Sequence, residues 1–317
     1  MKSTLQRLTG GPVMLLAVLL LLIAGFSLTL ERFATAATLQ AVLNQIPEVT
    51  FVAVGMTFVL IAGGIDLSVG GMMTLTSAAL GVLLAGQHWW AALAIAAVLC
   101  AGVLLGALNG LVSVLGRIPS FIVTLGMMQA ARGTALLISG SRTQFIGSRL
   151  DPLVMAIPGL GVSVAFLLAA ATILAGQYVL VRTVRGRHYV ALGANPAALK
   201  LSGVRTAPLY ISVFMISGLL SAVAGVIETA RLSAASPDGA RGVELLAIAA
   251  AVIGGTSLSG GRGSVFRTFL GVLIIAVLQT GLSHAGAGDG AKSLITGLVT
   301  VAAVAFDRFR QDHSDED

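Results

Sequence analysis

The chain has 317 residues, of which 56% are apolar and only 10% are charged, and its mean hydropathy is +0.97. Soluble domains carry about 25% charged residues, so this composition excludes an ordinary soluble enzyme, a disordered chain and a secreted disulfide scaffold. The net charge of +6 would suggest nucleic-acid binding in a soluble protein. In a membrane protein it indicates basic cytoplasmic loops instead.

Ten apolar stretches have about the length that a helix needs to cross the hydrocarbon core. We therefore predict an all-α integral membrane protein with about ten transmembrane helices at 12–30, 47–64, 68–86, 91–114, 119–139, 161–182, 208–230, 244–259, 267–284 and 293–306. The short stretches 244–259 and 293–306 are candidates for broken or re-entrant segments. The first stretch resembles a cleaved secretory signal, but its apolar run of about 18 residues exceeds the usual 7–15. We interpret it as the first span.

The basic residues predict the orientation of these spans. With the N-terminus inside, twelve Lys and Arg fall in cytoplasmic segments and six in outer ones, which is the bias of a bilayer protein with both termini in the cytoplasm. The predicted organisation is a cytoplasmic N-terminus at 1–11, a transmembrane domain at 12–306 and an acidic cytoplasmic tail at 307–317. Within the domain, the loop 183–207 is cytoplasmic, basic and too polar to span.

Motifs for enzymatic chemistry are missing from the sequence. It has no G-x-x-x-x-G-K-[ST] phosphate loop and no H-E-x-x-H pair, no G-x-S-x-G elbow, and its four histidines are scattered. We therefore expect no catalytic residues, no metal site and no cofactor bound by this chain. Ionisable groups inside a membrane are functional candidates by default, and three stand out here: Asp66, Arg132 and Glu228.

A glycine-rich break separates the second and third predicted spans. Gly63-Gly64 can end one helix, and Asp66 and Ser68 can begin the next by accepting a backbone N–H. Two interpretations stay open, namely a tight structural turn and a break that lines the conduction path. A related run, Gly254-Gly255-Thr256-Ser257, follows a later small-residue helix.

Four motifs, taken in chain order, resemble those of the permease subunits of monosaccharide ABC importers. They cover most of residues 50–285 and are Gly64-Ile65-Asp66-Leu67-Ser68-Val69-Gly70, Pro119 to Gly133, Ala191 to Val204, and Gly242 to Gly263. The resemblance implies a bundle like that of the vitamin B12-type importers, located in the bacterial inner membrane. It also implies a second permease chain, a periplasmic sugar-binding protein, and a cytoplasmic ATPase subunit that uses ATP and Mg²⁺.

By this resemblance, the segment that docks on the ATPase contains Gly193, Asn195, Ala197, Ala198 and Gly203. The residues themselves support a short helix there, because Asn is a favoured N-cap and the following Pro suits the first helical position. The alternative is an ordinary loop helix on the membrane surface.

The remaining charged candidates have two interpretations each. We expect Arg132 to pair with a carboxylate or with carbonyls inside the bundle, since a mid-span guanidinium cannot reach water comfortably. Glu228 and Glu244 lie near helix ends and could dock the binding protein or be solvated termini. The competing functions are an ion-coupled secondary transporter or channel for a small polar solute, a membrane-embedded enzyme, and a scaffold.

Overall fold

The computed structural model describes residues 12–312, with the side chains of residues 12–302. The predicted N-terminus at 1–11 and residues 313–317 of the predicted tail lie outside the described residues. Eight helices in the described part are long and apolar enough to cross a membrane. They are α1 (Pro12–Thr29), α2 (Ala36–Ile61), α3 (Val69–Gly81, extended by a π-helical turn at Val82–Gly86), α4 (Ala91–Gly116), α5 (Ser120–Ser139), α7 (Val164–Arg182), α10 (Thr206–Leu232) and α12 (Val265–His284).

Shorter elements connect these helices. A two-stranded antiparallel sheet pairs β1 (Gln144–Phe145) with β2 (Ala234–Ala235). A 3₁₀ turn (Gly147–Leu150) leads into α6 (Asp151–Val154), and α8 (Val184–Ala194) and α9 (Pro196–Leu201) form the predicted loop helices. The remaining helices are α11 (Val243–Ile253) and α13 (Asp289–Asp312). The chain is thus all-α apart from one two-residue ladder within the described range.

Three predicted boundaries are wrong. The predicted span 47–64 is part of α2, which begins at Ala36 and carries Pro47 inside it. The predicted span 293–306 lies within α13, which starts at Asp289 and runs to Asp312, beyond the predicted start of the tail. The predicted span 244–259 is a helix only as far as Ile253, because Gly254-Gly255 end it.

A loop of turns leads into the short helix α11. Residues 236–242 are turns and bends rather than extended chain, and Ala240 and Gly242 have φ of +54° and +82°. The loop runs beside α3, because Ala235 packs where a side chain on Gly81 would stand and the carbonyl of Ala240 lies against Gly70. Irregular backbone of this kind is tolerated in a membrane protein where protein encloses it.

The tightest helix pair in the core is α4 against α10. Gly102, Gly106 and Gly110 repeat at four-residue spacing along α4, and Cβ atoms at Gly102 or Gly106 would collide with the α10 backbone near Gly218 and Phe214. Small residues at this spacing allow the backbones of membrane helices to approach closely, so that dispersion contacts accumulate. Helix α10 also packs on α2 and α3 and is therefore the centre of the bundle.

The connections collect at two ends of the bundle in the way that the charge pattern predicts. At one end, the α2–α3 break, the end of α8 and the α11–α12 turn meet around Gly63, Gly193 and Gly260. At the opposite end lie the β1–β2 ladder and the contact of Arg149 with His88. The first set consists of predicted cytoplasmic segments, and the second of predicted outer ones.

Candidate functional site

The carboxylate of Asp66 is the centre of a buried hydrogen-bond network in the α2–α3 break. Asp66 is fully buried. Its Oδ1 accepts the backbone N–H of Ser68 at 3.0 Å and the Ser68 hydroxyl at 2.5 Å, and its Oδ2 accepts the Ser217 hydroxyl at 2.7 Å. The Asn109 amide donates in turn to the Ser68 hydroxyl at 2.8 Å. The network therefore joins the break to α4 and α10.

Hydroxyl groups of α5 bind the backbone on the other side of the same break. The N–H of Ile65 donates to Ser120 Oγ and the N–H of Leu67 donates to Thr124 Oγ1, both at 3.0 Å. Unwound backbone at a helix break leaves N–H and C=O groups without intrahelical partners. Ser120 and Thr124 of α5, and Asp66 for the N–H of Ser68, supply those partners, which fixes the backbone of the break.

Two of the three hydrogen bonds that Asp66 accepts come from Ser68 in the break itself, and the third joins the break to Ser217 of α10. Hydrogen bonds to an ionised acceptor are stronger than those between neutral groups. Among residues 12–302, whose side chains the structure describes, no cluster of His, Cys, Asp and Glu could hold a metal ion. Of the two interpretations of this run, the geometry favours a structural turn, and that turn lies at a meeting point of three segments.

That meeting point is a junction of glycines from three segments, which we call the glycine junction: Gly63, Gly193, Gly260 and Gly261. The N–H of Gly261 donates to the carbonyl of Ile61 at 2.9 Å. A Cβ on Gly193 would collide with that same carbonyl and would stand 2.5 Å from the Gly261 nitrogen. Gly63, Gly260 and Gly261 have φ between +74° and +88°, a region that only glycine adopts without strain. The α8 end therefore rests directly on both glycine-rich turns.

The segment that follows Gly193 and contains α9 is exposed. Asn195 caps α9 by accepting the Ala198 N–H at 2.9 Å, and Pro196 holds the first helical position, as the sequence predicts. Ala197, Ala198 and Gly203 are exposed as well, and Leu201 is 90% exposed.

Of the two later predicted turn residues, Gly254 ends α11 against the backbone of Arg267, and Gly255 follows with φ of +77°. In the earlier break, Gly64 faces the Tyr210 hydroxyl and the Phe214 ring, either of which a Cβ would crowd. Both runs are therefore tight turns at the same end of the bundle, which agrees with their similar sequences.

Arg132 pairs with a carboxylate inside the bundle, as expected, and the structure identifies it as Glu244, with Nη2 and Oε1 at 3.1 Å. Glu244 and Glu228 are both about 8% exposed. This corrects the expectation that these two carboxylates form an outer docking surface or solvated helix ends. The turn-rich loop 236–242 folds over them, so that both are buried, and sequence spacing alone gives no sign of such folding.

Sequence reasoning missed the partners that complete the Asp66 network. Ser217, Asn109 and Thr124 lie 43 to 151 positions from Asp66 along the chain, in helices whose apolar pattern hides a single polar residue. The signal in the sequence is a polar residue within an otherwise apolar span.

The comparisons with known proteins decide the family. Residues 38–304 match the family described as branched-chain amino acid transport system permease components. The chain belongs to this permease family. It is 38% identical over 300 residues, 93% of each chain, to the ribose import permease protein of Escherichia coli (strain K12). It is 34% identical to the fructose import permease protein of Rhizobium meliloti, over 97% of this chain and 89% of the relative.

A third relative is the L-arabinose ABC transporter permease protein of Azospirillum brasilense, 32% identical over 93% of this chain and 87% of that protein. No solved structure shows significant similarity to the chain. The relatives confirm the resemblance to monosaccharide importer permeases that the four motifs indicate. This permease is an all-α, multi-pass membrane protein, and its relatives are transport subunits rather than enzymes.

Proposed function

We propose that this permease is the transmembrane subunit of an ATP-driven importer and that it passes a monosaccharide across the bacterial inner membrane. The observation that carries the proposal is the identity of 34–38% to ribose and fructose import permeases over about nine-tenths or more of each chain. A cytoplasmic ATPase subunit hydrolyses ATP with Mg²⁺, and a periplasmic binding protein delivers the sugar.

The ATPase docks on the α8–α9 segment, around Asn195, Ala197 and Leu201. Support comes from the exposure of this segment and from its contact with the glycine junction. Through that contact, a displacement of α9 is transmitted to the α2–α3 break. Movement of the break and of α10 then opens the bundle alternately to each side. This mechanism is alternating access.

In the orientation that we propose, the glycine junction and both termini face the cytoplasm. The basic loop 183–207 and the excess of Lys and Arg at that end support it. The β1–β2 end, with Arg142 and Arg149, then faces the periplasm and the binding protein.

Two permease chains form the pore. The support is a stripe of small and polar residues on the exposed face of α5, formed by Gly126, Gln129 and Gly133. Lipid would meet an amide side chain there at a cost, whereas a second helix packs closely on such a stripe. A second copy of this chain or a related permease covers it.

A pull-down from mildly solubilised membranes tests the proposal, with the tagged chain expressed beside its native neighbours. The parent should bring down an ATPase subunit. Ala197→Arg, which changes an exposed residue of α9, should lose that subunit, whereas Ser148→Arg, exposed at the opposite end, should keep it. Uptake by vesicles without any ATPase would instead support an ion-coupled carrier.

The family description favours a second candidate cargo, a branched-chain amino acid. Uptake in inside-out and right-side-out vesicles, measured with ribose, fructose, arabinose and leucine, separates the two classes. We expect ATP-dependent uptake of one of the sugars and none of leucine.

A further inference from the structure

The interior end of α11 gathers buried charged groups that the hydrogen bonds of the protein leave incomplete. Arg132 and Glu244 share one hydrogen bond, Nη2 to Oε1. The other atoms of that pair, Arg132 Nε and Glu244 Oε2, are shielded from solvent and have no partner, and neither has Glu228 Oε2. The Glu244 side chain is nine-tenths buried.

The groups are linked through α3 and the turn-rich loop 236–242. Thr74 donates its hydroxyl to the carbonyl of Gly239 at 2.7 Å and lies within 2.9 Å of the carbonyl of Gly70. Gly70 in turn touches Glu244 Oε2, and Gly239 lies beside the Glu228 carboxylate. We call Thr74, Arg132, Glu228 and Glu244 the α11 cluster.

Native proteins satisfy nearly all buried polar groups, and each exception needs an explanation. An unpaired buried group costs about 1–3 kcal/mol, more when it is charged. The α11 cluster leaves one donor and two acceptors open at a helix that begins inside the membrane domain. In transporters, such discontinuous helices form substrate sites near the bilayer midplane.

We propose that the α11 cluster binds hydroxyl groups of the sugar during its passage, an inference that rests on the proposed function. A sugar hydroxyl both donates and accepts one hydrogen bond, so it can accept from Arg132 Nε and donate to Glu244 Oε2. A further hydroxyl can donate to Glu228 Oε2.

The α11 cluster is closed in this conformation, since its free atoms are shielded. Sugar reaches it when α5 moves away from α11. This movement breaks the Arg132–Glu244 bond and, where it extends to the start of α5, the bonds of Ser120 and Thr124 to the α2–α3 break. The open donors and acceptors then gain partners from the cargo. The closed state leaves these groups unpaired, whereas in the open state the sugar supplies their partners. A solute that carries hydroxyl groups therefore favours opening and its own passage.

Cysteine labelling tests whether the α11 cluster opens to water and sugar. The chain has one cysteine, Cys100, so Cys100→Ser gives a clean background. Thr74 is 1% exposed, and Thr57, which lies between α2 and α12, is fully buried. Thr57→Cys is therefore the matched control for Thr74→Cys. In the complete transporter, a small hydrophilic thiosulfonate reagent should modify Thr74→Cys at least tenfold faster during ATP turnover, and the transported sugar should slow that reaction. Thr57→Cys should stay unmodified.

A transporting Thr74→Cys variant that stays unmodified, or one whose modification ignores sugar, overturns the proposal. The second arm uses Glu244→Gln, which keeps an oxygen for Arg132 and replaces the free acceptor by a donor. Uptake should fall at least tenfold while the ATPase still copurifies, and uptake within twofold of the parent overturns the proposal. A parent without ATP-dependent sugar uptake refutes the proposed function itself, before either arm is interpreted.

Discussion

Gly193, in the last turn of α8, packs on the carbonyl of Ile61 so closely that no side chain fits between them. Ile61 ends α2, and its carbonyl also accepts the N–H of Gly261 from the α11–α12 turn. One backbone oxygen is therefore shared by the exposed α8–α9 segment, the Asp66 break and the second glycine turn. Contacts between backbones cannot yield by changing rotamers, so this junction transmits displacement stiffly.

Gly193→Ala should uncouple and destabilise the permease. The added methyl group forces the ends of α2 and α8 apart, and overpacking of this kind costs about 1–3 kcal/mol. We expect sugar uptake in proteoliposomes to fall more than tenfold while the ATPase still binds. Gly297→Ala on α13, where the added methyl meets nothing within 4 Å, is the control. Unchanged uptake by Gly193→Ala would show that coupling does not require close contact between the ends of α2 and α8.

Asp66→Ala should destabilise the protein more than Ser217→Ala. Removal of the carboxylate takes the acceptor from the Ser68 N–H, the Ser68 hydroxyl and the Ser217 hydroxyl, and each buried group left unpaired costs about 1–3 kcal/mol. Ser217→Ala leaves only Oδ2 of Asp66 without a donor, which is one such group. Thermal unfolding in nanodiscs measures both variants. Equal stability of Asp66→Ala and the parent would contradict the view that the Asp66 network stabilises the break.

Arg231→Met should cost far more than Arg241→Met. Arg231 makes two hydrogen bonds to the buried carboxylate of Glu48, at 2.5 and 3.1 Å, and its removal leaves that charge unpaired. Because Arg231 is about one-third exposed, we expect about 2 kcal/mol rather than the full cost of a buried pair. Arg241 pairs with exposed Asp238, and such pairs contribute about 0–1 kcal/mol. Adding Glu48→Gln to Arg231→Met should recover part of the loss.

Gly106→Ala should separate α4 from α10. The new methyl would collide with the carbonyl of Phe214, so the closest helix pair of the bundle must move apart and lose dispersion contacts. We expect a loss of about 1–3 kcal/mol, read as lower resistance to thermal aggregation in detergent. Gly25→Ala on α1, which has open space around it, is the matched control and should behave as the parent does.

Local patterns predicted much of this permease. The apolar runs located eight helices, and the pair Asn195-Pro196 predicted the start of α9, because an N-cap and a first-turn proline act within one turn of chain. Gly63-Gly64 predicted the end of α2 for the same reason. The composition alone placed the chain in a bilayer, since 10% charged residues cannot cover a soluble surface.

Only the tertiary structure decided what meets across the bundle. In the sequence, Glu244 could be a solvated helix terminus, and its burial depends on the loop 236–242, which folds back along α3 toward Gly70. The Asp66 network needs Ser217 from α10, 151 positions away. A sequence determines local propensity and whether a segment prefers lipid or water, because these depend on neighbours in the chain. Contacts between distant helices depend on the packing of the whole bundle, so only the fold reveals them.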